Sequence, residues 1–247
     1  MARFAPVLGL ALACLAVLSG AAAAQEITVS LGEGGSLAER SIQLLVLITL
    51  LSLVPGLAIM LTSFPFLVTV LSILRMAIGL QQSPPNMLIV SLALFLTYFV
   101  MEPVFVEAWT LGLQPLAEGL IPPEEALPLA LGPFREFMAA RIDPGTFADL
   151  AALRVQPGTE IAGLAPEAPL SILVPSFLLS EIERAFEIGF LIFLPFLIID
   201  LVVAAILMSM GMMMVPPAIV SMPFKLAFFV VADGWTLLAG ALVRSYV

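Results

Sequence analysis

The chain has 247 residues, of which 62% are hydrophobic and only 11% charged. Soluble domains run near 45–50% apolar and about 25% charged, so this composition excludes one. Eighteen acidic against nine basic residues give a net charge of -9, which excludes a nucleic-acid-binding protein.

There is no histidine, and the single cysteine is Cys14. Imidazole metal ligands, Ser-His or Cys-His couples and internal disulfides are therefore removed. The expectation is an all-α membrane protein without enzyme activity, cofactor or nucleic-acid partner. Residues 1–24 have the layout of a cleaved secretory signal. Arg3 precedes an apolar core from Val7 to Leu18, and small residues lead to Ala22-x-Ala24. That 12-residue core falls short of the roughly 20 a span needs.

Residues 25–41 are polar and Gly-rich, a flexible lead-in. Residues 42–106 are expected to form a first helical hairpin. Its apolar runs are Ile42–Thr62, broken at Pro55-Gly56, then Phe64–Leu80 and Met87–Val106. Residues 107–175 hold eight acids from Glu118 to Glu167 against Arg135, Arg141 and Arg154, with prolines every few residues. This pattern predicts an extramembrane region with short helices around Pro133–Arg141 and Thr146–Leu153. Residues 176–247 follow as a second hairpin, Ser180–Met208 and Met222–Val243, around a Met-rich loop. Four long hydrophobic helices in two hairpins result. An exported N-terminus and four crossings place the acidic region in the periplasm and the Met-rich loop inside.

Several ionisable residues sit where lipid-facing helices should have none. Arg75 interrupts the second run, Asp200 lies in the third helix, and Lys225 and Asp233 lie in the fourth. Each costs about 2.5–3.5 kcal/mol at bilayer depth, so such residues turn toward protein or water. Taking the last turn to be centred between Pro216 and Pro217 sets Asp200 level with Asp233. Lys225 then stands roughly 12 Å from the level of Asp200. Its expected partner is in another subunit. Two aspartates at one level also invite an aspartyl-protease reading, but Asp233 follows Val-Val-Ala rather than Gly-x-Gly. A solute transporter would explain the Pro55-Gly56 break, yet no internal repeat accompanies it. Ser180-Glu181-Ile182-Glu183 fits a helix-opening capping box, with Arg184 one turn from Glu181 and Glu187. The same charged turn equally suits a subunit contact.

Two segments carry more than composition. Pro175-Ser176-Phe177 through Glu187-Ile188-Gly189-Phe190 is similar to the first signature of the FliP family, with Ser176 where Ala is usual. Pro223-Phe224-Lys225-Leu226 followed by Asp233-Gly234-Trp235 resembles the second. Leu74-Arg75-Met76-Ala77-Ile78-Gly79, Pro84-Pro85-Asn86 and Gly211–Pro217 fit the same family in order. The resemblance covers most of residues 64–246. It implies a subunit of the flagellar type III export gate in the basal body of the bacterial inner membrane. Further copies would assemble with FliQ, FliR, FlhB and FlhA-like proteins into a helically arranged pore that passes unfolded flagellar subunits. The virulence-type injectisome subunit is the alternative. Glu181, Arg184, Asp200, Lys225, Asp233 and Arg75 are the expected subunit contacts.

Six of the twelve methionines fall between Met208 and Met222. Methionine is unbranched and polarizable, and it re-packs around irregular shapes. Met210, Met212, Met213 and Met214 are therefore expected to line a pore constriction, with Gly211, Pro216 and Pro217 shaping the loop.

Overall fold

The computed structural model describes residues 59–80, 84–154, 166–212 and 214–246, with scattered positions from 41 to 56. The signal segment, the lead-in up to Arg40, Pro55 and Met213 lie outside the described residues. Residues 1–51 and 52–247 are separate units. In the first, the described positions from Ser41 to Thr49 are helical and exposed. The second unit holds every helix described below.

Helix α1 (Phe64–Ile78) opens with Pro65 in its first turn and stops at Gly79. The stop is a left-handed residue, φ 88°, whose N–H returns to the Met76 carbonyl. Eight of the 15 residues of α1 are buried. At 1.5 Å per residue the helix is about 22 Å long, short of the ~30 Å hydrocarbon core. It lies against α6 (Leu170–Ser209), where Gly189 lets the two come close. A Cβ at Gly189 would fall 2.4 Å from Cδ1 of Ile73.

Helix α2 (Asn86–Ala108) buries a narrow stripe, Ile89, Ala93, Thr97 and Met101, every fourth residue. It continues through a widened π turn, Trp109–Leu113, into α3 (Gln114–Ala117). Gly112 explains why the chain crosses so tightly there. A Cβ on it would sit 2.6 Å from the Ala130 nitrogen and 2.7 Å from the Ala126 carbonyl. Both belong to α4 (Pro123–Arg141). Helix α5 (Pro144–Arg154) follows. It is capped by Asp143, whose Oδ1 accepts from the Thr146 N–H at 2.9 Å. The expected helix over Thr146–Leu153 stands. The one over Pro133–Arg141 ends where expected but begins ten residues earlier, because Pro128 and Pro133 are carried inside it.

Helix α6 also begins ten residues early, at Leu170 rather than Ser180, with Pro175 and Pro195 inside. Its 40 residues span about 60 Å, twice a hydrocarbon core. Its first part packs with α4 and α5 in a core around Met138, Phe147, Leu173 and Phe177. Its later part joins a second core with α1, around Phe66, Leu74, Ala185 and Phe196. The acidic region and the last hairpin are thus stitched together by one continuous helix.

The expected final helix, Met222–Val243, is two helices. Helix α7 (Pro217–Val231) and α8 (Gly234–Arg244) meet at a 63° bend. Asp233 takes a left-handed conformation at φ 50°, and the Phe229 ring fills the space beside Gly234. A Cβ there would lie 2.3 Å from that ring. Among the described residues, α2 through α3 and α6 are long and apolar enough to cross a membrane. The bent pair α7 and α8 makes a third if it is one span.

Candidate functional site: two buried ionic hubs and a methionine-rich turn

The first hub closes around Glu181, which is fully buried in the middle of α6. Arg141, at the end of α4, donates from Nε to Glu181 Oε1 at 2.8 Å and from Nη1 to the Ser245 carbonyl at 2.8 Å. Tyr246 donates its hydroxyl to Glu181 Oε2. The Arg141 guanidinium lies 3.9 Å from the centre of the Tyr246 ring. Phe66 of α1 meets that ring edge-on at 5.3 Å, and Phe137 stacks on it at 6.1 Å. Burial, and then the Glu181 carboxylate, push the Tyr246 phenol far above its ordinary range. It is therefore a donor at every physiological pH.

The capping-box reading of Ser180 is corrected by this geometry. Ser180 is mid-helix, donating to the Ser176 carbonyl at 2.9 Å and accepting from the Asp143 N–H at 3.0 Å. Arg184 is half-buried and lines one pocket with Asp143, Glu183 and Glu187; of its two expected partners, Glu181 and Glu187, Glu181 pairs with Arg141 instead. The Arg184 charge, after the Thr146 and Gly145 hydrogen bonds, helps hold the Asp143 carboxyl below its usual range. Sequence reading singles out neither Arg141 nor Tyr246. Their contacts with Ser245 and Glu181 bridge 104 and 65 residues, which leaves no local spacing to read.

The second hub corrects the expectation that Lys225 lacks a carboxylate within its own hairpin. Lys225 Nζ lies 2.6 Å from Asp200 Oδ2, and Ser221 donates to the other oxygen of the same carboxylate. The level count fails because α6 ends at Ser209 and α7 begins at Pro217, and the described residues between them are not helical. Counted from the helix ends, Asp200 is nine residues before Ser209 and Lys225 eight after Pro217. That leaves them about 1.5 Å apart in height. Lys225 also donates to the Ala77 carbonyl at 3.0 Å, one of the free carbonyls at the end of α1. Asp233 makes different contacts at the α7–α8 bend, accepting from Thr236 Oγ1 at 3.2 Å. Arg75 donates to Asn86 across the α1–α2 connection. Among the described residues no cluster of three or more acidic or thiol ligands could hold a metal.

The third feature is the turn between α6 and α7. Met210 ends α6, and the Gly211 N–H returns to the Met208 carbonyl with φ 75°. Pro216 then caps α7 from an extended conformation. Met210, Met212 and Met214 are all exposed, Met214 at 97%. Beside the turn runs an apolar groove of about 390 Å³ between the two helices, lined by Val202, Ile206, Val220 and Phe224.

Residues 47–242 match the family described as FliP. Half of 236 aligned positions are identical to the flagellar biosynthetic protein FliP of Caulobacter vibrioides, over 96% of this chain and 88% of that one. The chain belongs to the FliP family. The Rhizobium meliloti FliP is 45% identical over the full length of both chains. The Bacillus subtilis FliP is 43% identical over 83% of this chain and 92% of its own. All three relatives are flagellar, so the flagellar role stands ahead of the injectisome alternative. With its long apolar helices, this FliP-family chain is a membrane-embedded component of the flagellar export apparatus.

Proposed function

We propose that the chain is a pore-forming subunit of the flagellar type III export gate, a multi-pass protein of the bacterial inner membrane. Further copies, with FliQ, FliR, FlhB and FlhA-like partners, complete a channel for unfolded flagellar proteins. The reading assigns no catalytic residue. The observation that carries it is the tip of the α6–α7 hairpin, where apolar helices end in a turn of exposed methionines.

A secretion pore has to close around nothing and close again around an extended chain of any sequence. Flexible thioethers on a glycine-containing turn suit that task, because they re-pack as the gap changes. Met210, Met212, Met213 and Met214 form the seal in this proposal, shaped by Gly211, Pro216 and Pro217. The charges proposed as subunit contacts divide into two kinds. Glu181, Asp200 and Lys225 already have partners within the chain, so they set the shape of the contacting surfaces. Arg75, Arg184 and Asp233 keep part of their surface open to another copy.

The test replaces Met212, Met213 and Met214 with alanine and measures ion leak and flagellar export separately. A seal predicts higher leak with assembly intact. Lost assembly without leak would make these methionines ordinary packing residues and end the proposal.

A further inference from the structure

The stretch from Leu201 to Phe224 holds 24 residues without one ionisable side chain. It therefore holds no acid–base switch of its own. Its chemically reactive atoms are thioether sulfurs, and they are clustered and open. Met208, Met210, Met212 and Met214 are 61%, 66%, 37% and 97% exposed within seven residues. Met101 and Met138, in the cores, are wholly buried. Met60, Met76 and Met87 are exposed too, but they lie outside this seven-residue run.

We propose that this turn is a reversible oxidation site, at which a peroxide-class oxidant unseals the gate by converting the thioethers to sulfoxides. A methionine sulfur attacks one peroxide oxygen, the O–O bond breaks and an S=O bond forms. The other oxygen leaves as hydroxide and takes the proton from the oxygen now on sulfur, which completes the S=O bond and yields water. The sulfur loses two electrons and the peroxide gains them. Each event turns a flexible apolar group into a polar, chiral one that binds water. A seal built from four or five such groups is hydrated where it needs to be dry. The change is undone when methionine sulfoxide reductases, driven by a thiol, remove the oxygen.

The proposal rests on the gate reading, and the experiment separates the two. Membrane vesicles carrying the full chain in its assembled export gate are treated with hydrogen peroxide. Peptide mass spectrometry locates added oxygen while ion leak is followed. The turn methionines are expected to oxidise roughly tenfold faster than Met101 and Met138, because thioether oxidation follows exposure. Leak is expected to rise severalfold and to return to its starting level after both sulfoxide reductases and dithiothreitol are added. A chain with Met208, Met210, Met212, Met213 and Met214 replaced by leucine, close in volume, is expected to export without peroxide-induced leak. Should that variant not assemble, reversal by the reductases on the unaltered chain decides the matter alone.

Turn methionines that stay reduced while Met76 and Met87 oxidise would overturn the proposal. So would oxidised turns without leak in vesicles where the Met212, Met213, Met214 alanine variant does leak, and the gate reading would survive that result. An alanine variant that does not leak would remove the gate reading itself.

Discussion

Helix α1 and the tip of the α6–α7 hairpin are both apolar, and their surroundings are opposite. Phe66, Leu67, Val70 and Ala77 of α1 are fully covered, while Met210, Met214 and Ile219 at the tip stand bare. Coverage follows from what the ends and crossings of each element offer. Helix α1 is too short to span a bilayer and presses on Gly189. Phe66 in its first turns packs under the Glu181–Tyr246 hub, and Lys225 caps a carbonyl of its last turn. A cation at the C-terminal end of a helix favours its dipole. The tip has neither a crossing partner nor a charge. Apolar composition alone does not separate the two cases; small residues and buried charges do.

The strongest way to break this contrast is at Glu181. Glu181→Ala leaves Arg141 buried without its carboxylate and removes the acceptor of Tyr246. Breaking a buried pair this way costs about 3–5 kcal/mol. Thermal unfolding of the detergent-purified chain should show that loss, while the exposed neighbour change Glu183→Ala leaves the midpoint within error. Glu181→Gln, which keeps an acceptor for Tyr246, should fall between them. Equal effects of the alanine changes at 181 and 183 would mean that the hub does not hold α1.

Lys225 comes second. Its partner Asp200 keeps 29% of its side chain exposed, so water softens the loss. Lys225→Met should cost about 2–3 kcal/mol, less than the ~3–5 kcal/mol of a fully buried pair. It should lower the amount of folded chain itself, not only its assembly. The double change Lys225→Met with Asp200→Leu should recover part of that stability, since replacing a whole buried pair by apolar groups is often near neutral. Additive losses in the double variant would show that the two residues act separately.

Much of this was legible in the residues, and the remainder has a physical reason. The α5 cap is local: an acid before Pro144 and a Thr three residues on is a complete instruction. The signatures around Glu181 and Lys225 mark both hubs as important. The pairing within them is set by where the helices end, because α6 stops at Ser209 and α7 starts at Pro217, which fixes the level of every residue in α7. The bend at Asp233 is equally hidden. A non-glycine residue at φ 50° is chosen by the Phe229 ring against Gly234, a contact that spacing does not announce. Prolines mislead in the other direction, since Pro128, Pro133, Pro175 and Pro195 all lie inside helices. Each proline costs its helix one backbone hydrogen bond, and packing on both sides of it lets the helix continue.

Gly189 sharpens the contrast at a single crossing. Gly189→Ala puts a methyl against Ile73, at 2.4 Å from Cδ1 and 3.3 Å from Cβ. Overpacking of this kind costs about 1–3 kcal/mol. Removing Cδ1 with Ile73→Val should return part of the loss, and the double-mutant cycle should give a coupling of about 0.5–1 kcal/mol. Zero coupling would place the strain elsewhere. Asp143 is a smaller case. Its carboxyl is held below its ordinary 3.8 by the Thr146 N–H, so its folded pKa lies under its unfolded one. The cap therefore contributes fully above pH 3.8 and is lost as pH falls through the lower folded value. Asp143→Ala should lower stability slightly at neutral pH and converge with the parent chain in strong acid. A difference that persists there would refute the carboxylate as its source.

The smallest effect on stability is expected at the bare tip, and it gives the sharpest reading of the comparison. Met214 is 97% exposed, and its substitution removes no buried surface within the chain. Met214→Ser should shift unfolding by no more than about 0.5 kcal/mol, as surface changes do. Serine is nonetheless shorter and polar, so it neither fills a gap nor excludes water as a thioether does. In the assembled gate the same change should raise ion leak while the folded amount of the chain stays constant. At Phe66 or Leu74, by contrast, a truncation should lower folded amount before any leak can be measured, because those side chains are fully buried. A tip variant that unfolds the chain would mean that the turn is packed by this chain after all. A tip variant silent in both measurements would assign the seal to another part of the assembly.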